Sequence, residues 1–349
     1  MEELDIKSLY ERELEETMAA MGEKPFKGRQ LFEWLHKKTV GSYGQMTNLS
    51  QKLRQQLEEK YPLARLEVVD VETSAIDGTQ KYLFGLADGN VIESVLMRYH
   101  HGNSVCISSQ VGCRMGCRFC ASTIGGLIRN LTASEMLDQV YRIQELTGER
   151  VSNVVVMGTG EPLDNYDNLV RFVRILSDEK GQNISHRNIT VSTCGIVPRI
   201  RQLADEGLGI TLALSLHAPN DEKRRELMPI ANRYSLEEVL PACQYYFEKT
   251  GRRITFEYSL VGGKNDGQED ARQLADLISG LNCHVNLIPV NPIKERDYVQ
   301  SGKKVIGNFK NKLEKYRINV TIRREMGRDI NGACGQLRRS YLDKREKLS

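Results

Sequence analysis

The sequence Cys113-Arg-Met-Gly-Cys117-Arg-Phe-Cys120 places three cysteines on one short loop, directly after a β-rich run. Thiolates are the natural ligands of iron–sulfur clusters, and three on such a loop can hold three irons of a 4Fe–4S cubane. Gly112 and Gly116 allow the backbone to fold closely around such a group. The fourth iron then has no nearby protein ligand, so it is open to another molecule, as in catalytic metal sites.

The same loop is compatible with a zinc site that a distant cysteine or histidine completes. The spacing C-x3-C-x2-C is less usual for zinc than paired C-x2-C knuckles. It also lies within a long α/β pattern and not in a small separate module. The iron–sulfur hypothesis is therefore favoured, with zinc as the alternative.

Around this loop, strands alternate with helices, which predicts an α/β fold. The β-rich runs lie at about 104–109, 152–157, 187–192, 209–215, 253–260 and 283–289. The helical runs lie at about 133–146, 165–177, 197–206, 235–249 and 267–280. Near-continuous apolar strands separated by helices are typical of a parallel sheet. Six such units are too few for a closed eightfold barrel, so we predict a partial (β/α)6 barrel with its chemistry at the C-terminal ends of the strands.

The residues before this barrel follow other patterns. Short amphipathic helices are predicted over residues 8–60, and Lys24–Lys60 carries eight bases against three acids. A period-two pattern then begins, with Asp77-Gly78 and Asp88-Gly89 as turn signals, and predicts a β-hairpin or meander. The predicted segments are a helical domain (1–64), a β-hairpin extension (65–103), the partial barrel (104–325) and a C-terminal segment with a basic tail (326–349).

Composition restricts the class of protein. The chain has 349 residues, of which 40% are hydrophobic and 27% charged, so it can bury a sizeable core. Its apolar runs are too short to span a bilayer and its acidic N-terminus does not resemble a signal peptide, so we expect a cytoplasmic protein. In that compartment the eight cysteines are expected to be ligands, catalysts or core thiols. The basic regions near both ends suit contact with a phosphate backbone, with ordinary solvated surface as the alternative.

Together with the cysteine loop, several motifs resemble one family. An aromatic residue before the last cysteine is typical of radical S-adenosylmethionine (SAM) enzymes. Over about residues 8–339 the chain is similar to the dual-specificity rRNA/tRNA adenine-C2 methyltransferases, the RlmN family. The motifs that support this resemblance are Ser108-Ser-Gln-Val-Gly-Cys113, Met157-Gly-Thr-Gly-Glu-Pro162, Ser215-Leu-His-Ala-Pro-Asn220, Asn286-Leu-Ile-Pro-Val-Asn-Pro292 and Ala333-Cys-Gly-Gln-Leu337.

The resemblance implies a mechanism with a 4Fe–4S cluster and two SAM molecules per turnover. The first SAM methylates Cys334. The second, on the open iron, is cleaved to a 5′-deoxyadenosyl radical, which takes hydrogen from the S-methyl group, and the resulting carbon radical adds to adenine C2. Cys106 then breaks the protein–RNA link by forming a disulfide with Cys334, and Glu93 is the implied proton acceptor. Radical addition suits adenine C2 because this electron-poor carbon is not a nucleophile.

The resemblance also implies the residues that bind SAM. These are Gly160, Glu161, Ser192, Ser215, Leu216, His217 and Asn291. Each of these assignments has a structural alternative. Ser215–His217 could be a strand end whose polar groups are hydrogen-bonded within the protein, and Glu93 could be an exposed carboxylate of the hairpin. Cys106 and Cys334 could be buried core thiols. Three other cysteines are interpreted as core thiols: Cys194, Cys243 and Cys283.

The implied partners are 23S rRNA at the peptidyl transferase centre, tRNA at the adenine beside the anticodon, and a small electron donor of the flavodoxin or ferredoxin type. The N-terminal stretches Lys24–Arg29 and Trp34–Lys38 combine bases with aromatics and resemble the family's RNA-binding accessory domain. One alternative is the related antibiotic-resistance enzyme that methylates C8 of adenine. The stretches Met157–Pro162 and Arg323–Arg328 are more similar to the C2-methylating branch, so C2 is favoured. Another is a non-catalytic iron–sulfur or zinc RNA-binding protein.

Overall fold

A ten-stranded sheet forms the centre of the computed structural model, which describes residues 5–291, 297–330 and 335–346. A separate pair of short antiparallel strands lies beside it. The strands are β1 (Glu67–Thr73), β2 (Gln80–Gly85), β3 (Val91–Tyr99), β4 (Gly102–Ile107), β5 (Gln110–Gly112), β6 (Leu127–Asn130), β7 (Val151–Val156), β8 (Ile189–Thr193), β9 (Thr211–Ser215), β10 (Ile254–Leu260), β11 (Cys283–Pro289) and β12 (Val320–Ile322).

The main sheet has the order β1-β2-β3-β4-β7-β8-β9-β10-β11-β12. From β4 to β12 each strand is parallel to its neighbour. The strands β1 and β12 form the two edges, so the sheet does not close on itself. The six predicted parallel strands and the partial barrel are therefore confirmed, and β12 is a further parallel strand that the sequence pattern did not indicate.

The predicted β-hairpin extension is a three-stranded antiparallel meander, β1 to β3, that continues directly into β4. Gly78 and Gly89 have positive φ values of 70° and 79° in its turns, as the two Asp-Gly signals predicted. Cross-strand pairing sets Lys81 opposite Val95 and Val95 opposite Cys106. Because directly opposed residues share one face of a sheet, Lys81, Glu93 and Cys106 lie on the same face.

Helices cover the sheet and alternate with the parallel strands. None of those in the described residues is both long and apolar enough to cross a membrane. The predicted barrel helices are confirmed, whereas α7, α10 and α11 were not predicted. The helices are α1 (Glu11–Ala20), α2 (Phe26–Phe32), α3 (Gln51–Lys60), α4 (Ala133–Thr147), α5 (Tyr166–Ser177), α6 (Val197–Asp205), α7 (Asp221–Leu227), α8 (Leu236–Thr250), α9 (Gln268–Leu277), α10 (Lys303–Lys315) and α11 (Gln336–Glu346).

The N-terminal helices pack against α4 and α5 of the barrel. Their apolar side chains belong to the same continuous hydrophobic cluster as the barrel core. Two ion pairs support this contact: Lys7 Nζ lies 2.9 Å from Asp138 Oδ1, and Arg171 Nη2 lies 3.0 Å from Glu13 Oε1. The four segment boundaries given above remain a prediction.

Candidate active site

The cysteine loop begins where β5 ends and is held by main-chain hydrogen bonds. The Cys113 N–H donates to the Gly126 carbonyl at 3.0 Å, and the Cys120 N–H donates to the Cys117 carbonyl at 3.1 Å. Gly112 has a φ of 78°, and a Cβ built there would lie 2.0 Å from the Gly126 oxygen. Only glycine allows the two backbones to come this close, which explains why a glycine precedes the first cysteine.

All three cysteines of the loop line one cavity of about 250 Å³ at the C-terminal ends of the barrel strands. We call it the cluster cavity, and the residues that line it include Cys113, Met115, Cys117, Cys120, Met157, Gly160, Glu161, Ser192, Cys194, Ser215, His217, Glu257, Asn291 and Arg323. Within the described residues, no three histidine, cysteine or acidic side chains are placed to hold a single metal ion. Three thiols around one cavity suit three-cysteine ligation of an iron–sulfur cubane.

Burial and mutual proximity keep the thiols of the loop protonated in this state. Burial raises the pKa of Cys113 to about 12, with Glu161 and Cys120 adding to the effect. It also raises the pKa of Cys117 and of Cys120. Metal binding requires thiolates, so assembly of a cluster here releases protons and is favoured as pH rises.

Gly160 and Glu161 follow β7 and form one wall of the cluster cavity. The Glu161 carboxylate is buried and accepts main-chain N–H groups from Leu163 at 3.1 Å and Cys194 at 2.7 Å. Burial raises its pKa, while these hydrogen bonds oppose the shift. A carboxylate fixed in this way suits a cationic amino group in the cavity.

Replacing Gly160 with alanine is expected to weaken SAM binding by about tenfold or more, because overpacking costs about 1–3 kcal/mol. Its φ is 117°, and a Cβ there would lie 2.6 Å from Ser109 Oγ and 2.8 Å from the Gln110 nitrogen. Equilibrium dialysis with labelled SAM measures the loss. The matched control is Gly207→Ala, which has a φ of 69° with nothing within 4 Å of the added Cβ, so its affinity stays unchanged.

Four of the other predicted SAM residues also line the cluster cavity: Ser192, Ser215, His217 and Asn291. The hydroxyls of Ser192 and Ser215 lie 3.4 Å apart. The Ser259 N–H donates to His217 Nδ1 at 2.9 Å, so the neutral ring carries its proton on Nε2. Burial lowers the pKa of His217 to about 3, which keeps the ring neutral and leaves Nε2–H as a donor.

Leu216 is placed differently from its two neighbours, and its contact with SAM remains a prediction. Its side chain is fully buried in the hydrophobic core and does not line the cluster cavity. Its N–H donates to the Glu257 carbonyl at 3.0 Å, and its carbonyl accepts from Arg224 Nε at 3.3 Å. The polar groups of the run that face the cavity come from Ser215 and His217, because alternation along the chain turns Leu216 the other way.

Two charged residues that the sequence analysis missed help to build the cavity. Arg224 on α7 is fully buried and donates from Nη2 to the Cys194 carbonyl at 2.7 Å, which ties the end of β8 to α7. Glu257 on β10 faces the cavity and accepts from Asn286 Nδ2 at 2.8 Å. A charged residue within the apolar run Ile254–Leu260 was a usable signal for Glu257.

A second cavity of about 400 Å³ adjoins the first and contains Glu93 and Cys106. Arg323, Arg324 and Arg328 line it too, so we call it the arginine cavity. It shares part of its wall with the cluster cavity: Met157, Gly158, Ile288, Asn291 and Arg323.

Both predicted catalytic side chains of this region face the arginine cavity. Cys106 on β4 is half-buried, and burial raises the pKa of its thiol while Arg323 opposes the shift. Glu93 is buried and ion-paired with Lys81, so the alternative of an exposed hairpin carboxylate is wrong.

Cys334 lies outside the described residues, but Gly335, which follows it, is described. A Cβ on Gly335 would lie 2.8 Å from Ser122 Oγ, so the chain passes closely over the turn that follows Cys120. The Gly335 N–H also donates to Glu93 Oε2 at 2.8 Å. The residue after Cys334 is thus placed between the cysteine loop and Glu93.

The remaining cysteines differ from one another. Cys243 on α8 is a core thiol, as predicted. Cys194 is buried but lines the cluster cavity, so it is not a simple core residue, and Cys283 is half-buried on β11. All seven described cysteines are free thiols.

The predicted RNA-binding stretches of the N-terminal unit are only partly available at the surface. Lys38 Nζ lies 3.6 Å from the centroid of the Trp34 ring, a cation–π contact at a partly exposed aromatic residue. His36 is fully buried, and Lys27 is ion-paired with Glu23 at 2.7 Å. Stacking and phosphate contact by this unit remain a prediction.

Comparisons with known proteins match this geometry. Residues 107–278 match the radical SAM superfamily, and residues 4–62 match the ribosomal RNA large subunit methyltransferase N-terminal domain. A probable dual-specificity RNA methyltransferase RlmN of Lachnospira eligens is 66% identical over 97% of this chain and 97% of its own length. The chain belongs to the RlmN family of radical SAM RNA methyltransferases. The corresponding RlmN of Lachnoclostridium phytofermentans is 65% identical over 98% of this chain and 96% of its own.

A solved structure supports the same family at the level of the fold. The radical SAM methyltransferase from Sphaerobacter thermophilus is 44% identical, with a TM-score of 0.91 over 96% of this chain and 99% of its own. As an RlmN-family enzyme, this chain uses a 4Fe–4S cluster and SAM. The alternatives of a zinc site and of a non-catalytic RNA-binding protein are therefore wrong.

Proposed function

We propose that this enzyme methylates C2 of an adenine in 23S rRNA, at the peptidyl transferase centre, and C2 of the adenine beside the anticodon in tRNA. The observation that carries the proposal is the wall shared by the cluster cavity and the arginine cavity, formed in part by Met157, Gly158 and Asn291. A ligand bound beside the cysteine loop would therefore lie next to the cavity that contains Cys106 and Glu93. The residues proposed to activate SAM and those proposed to transfer the methyl group therefore lie in adjoining cavities.

The cluster cavity provides the residues for the cofactors. Cys113, Cys117 and Cys120 would hold the cluster, while Glu161 and the His217 Nε2–H would hold polar groups of SAM. When bound, the cluster and SAM supply one-electron chemistry, which is needed because adenine C2 is not a nucleophile. We propose a small electron donor of the flavodoxin or ferredoxin type as the source of that electron.

The arginine cavity provides the residues for the RNA. Its volume of about 400 Å³ is within the usual range for small-molecule sites and suits one extruded nucleotide. Arg324 and Arg328 are exposed at its rim, where guanidinium groups suit phosphate. Tyr99 also lines this cavity and offers an aromatic face for a base.

Three residues have distinct roles in the proposed transfer. Cys334 carries the methyl group and joins it to the base. Glu93 is an acceptor for the proton that leaves C2, and it lies in the cavity that would hold the base. Cys106 lines the same cavity and releases the product when its sulfur bonds to that of Cys334. This disulfide is proposed from the family resemblance, and a reductant must reopen it after each turnover.

The proposal is tested with anaerobically reconstituted enzyme, SAM, and naked 23S rRNA fragments or tRNA. Mass spectrometry of the digested RNA is expected to show 2-methyladenosine, whereas 8-methyladenosine would instead support the antibiotic-resistance activity. Replacing Cys334 with alanine should abolish methylation and leave the iron content unchanged. A Cys334→Ala enzyme that still methylates RNA would show that this cysteine does not carry the methyl group.

A further inference from the structure

A buried ion pair joins β2 to β3 on the face that contains Cys106. Lys81 Nζ lies 3.1 Å from Glu93 Oε2, and the exposed fractions of the two side chains are 0% and 3%. Burying a lysine is costly unless an opposite charge and hydrogen bonds compensate for its lost hydration. The pair therefore fixes the position of the Glu93 carboxylate relative to β2.

The same carboxylate binds the amino end of α11. Gly335 N–H donates to Glu93 Oε2 at 2.8 Å, and Arg338 N–H donates to Oε1 at 2.5 Å. The first N–H groups of a helix have no partner within it, and a carboxylate there both accepts them and suits the helix dipole. Glu93 therefore acts as an anchor for the chain immediately after Cys334.

Apolar contacts fix the rest of this helix end on β3. Leu337 packs with Leu83 and Val91, and Arg338 Nε donates to the Val91 carbonyl at 2.9 Å. Gly335 is also packed against Ser122, as described above. Apolar contacts thus hold one side of α11 on the sheet, while Glu93 fixes its first turn.

Several titratable or charged groups lie around Glu93 on the neighbouring elements. Lys81 belongs to β2, Cys106 to β4, Arg338 to α11, Cys120 to the turn before Ser122, and Arg323 to the wall of the arginine cavity. Burial raises the pKa of the Cys106 thiol. Lys81 is the partner in direct ion-pair contact, so its removal changes the charge balance at Glu93 most directly.

We propose that Lys81 is a positioning residue for the methyl transfer, which it supports by holding the Glu93 carboxylate in place as the anchor of the chain after Cys334. The inference rests on the proposed function, in which Glu93 takes the proton from C2 and Cys334 carries the methyl group. Uptake of that proton turns the carboxylate into a neutral acid, which is a weaker acceptor for the Gly335 and Arg338 N–H groups. Proton transfer and the anchor are therefore coupled through one side chain.

The first test is amide hydrogen exchange of the segment that starts at Gly335, measured by mass spectrometry on the full chain before cluster loading. In Lys81→Met this segment is expected to exchange about tenfold faster or more, because its charge-assisted hydrogen bonds lose a fixed acceptor. Lys7→Met is the matched control, since it breaks another buried lysine–carboxylate pair, Lys7–Asp138, outside both cavities. Exchange after Gly335 in this control should equal that of the parent.

The second test separates kcat from KM in the methylation reaction. Without its ion-pair partner the Glu93 carboxylate is held less firmly where it takes the proton and anchors the chain after Cys334, so kcat in Lys81→Met is expected to fall about tenfold or more. The KM for RNA should change little, and Lys81→Arg should restore much of the rate. Lys81→Gln, which keeps a donor but lacks the charge, serves if Lys81→Met does not fold, and its kcat should fall in the same way.

The outcomes separate this inference from the proposed function. An active parent together with unchanged exchange and an unchanged kcat in the Lys81 variants would overturn the positioning role alone. A parent that forms no 2-methyladenosine would overturn the proposed function, while the exchange experiment would still show whether Lys81 supports the anchor.

Discussion

Replacing Cys117 with alanine is expected to remove the iron–sulfur cluster and to bring methylation below detection. The three thiols of the loop surround one cavity, and a cubane that loses one of three protein ligands is not retained. Iron bound after anaerobic reconstitution should fall from about four atoms per chain to near zero. The visible absorbance of the thiolate–iron bonds should disappear with it.

Cys194→Ala is the matched control for this prediction. Cys194 belongs to the small apolar cluster against which Cys117 packs, and it lines the same cavity; its thiol is buried, whereas that of Cys117 is half-buried. Its main-chain N–H and carbonyl are fixed by Glu161 and Arg224, so alanine can keep the local backbone. The control should keep its iron. Loss of the cluster in Cys194→Ala, or its retention in Cys117→Ala, would show that the ligands have been assigned wrongly.

The parallel strands and their helices could be predicted from the sequence because each has a strong local pattern. The strand β11 is found at Cys283–Pro289, the predicted limits, and its buried residues Val285, Leu287 and Pro289 occupy every second position. The elements β5, β6 and α7 are short, so they show too few residues for a period to be recognised. The helix α10 did carry a signal, with Ile306, Phe309 and Leu313 buried at helical spacing, that the sequence analysis did not use.

The site was predictable to the extent that its residues belong to short motifs at strand ends. Gly160, Glu161 and the cysteine loop come together because neighbouring parallel strands end at one edge of the sheet. The environment of Glu93 was not predictable from its own strand, because α11, which covers it, lies 242 residues away in the chain. Arg224 was missed for the same reason, since its partners come from other elements. Distant contacts, not local pattern, decide whether a charged side chain is buried.

The second large effect is expected for Cys106→Ala, which should trap the enzyme covalently on its RNA. In the proposed mechanism the methyl carbon joins Cys334 to the base, and the link breaks only when another sulfur bonds to that of Cys334. Cys106 is suited to this role because its half-buried thiol lines the same cavity as Glu93. Without it, each chain should stop after one addition, and a denaturing gel should show a protein–RNA adduct that RNase shortens.

The pH dependence of product release follows from the Cys106 thiol. Burial raises its pKa, with Arg323 opposing the shift, so the thiol is mostly protonated near neutral pH. A thiolate is the nucleophile, and its fraction grows as pH rises towards this raised pKa. Release in the parent enzyme is therefore expected to accelerate with pH, measured as the decay of the adduct after rapid mixing. In Cys106→Ala the adduct should persist at every pH.

Cys243→Ala is the control that separates this role from a general loss of thiols. Cys243 is buried in the core on α8 and lines neither cavity, so its replacement should cost some stability but leave turnover free of adduct. If Cys106→Ala instead turned over many times with no adduct, release would not depend on a second cysteine. The link to Cys334 would then have to break by a route that uses other groups of the arginine cavity, and Glu93 would be the first to replace, because it lines that cavity and binds the chain next to Cys334.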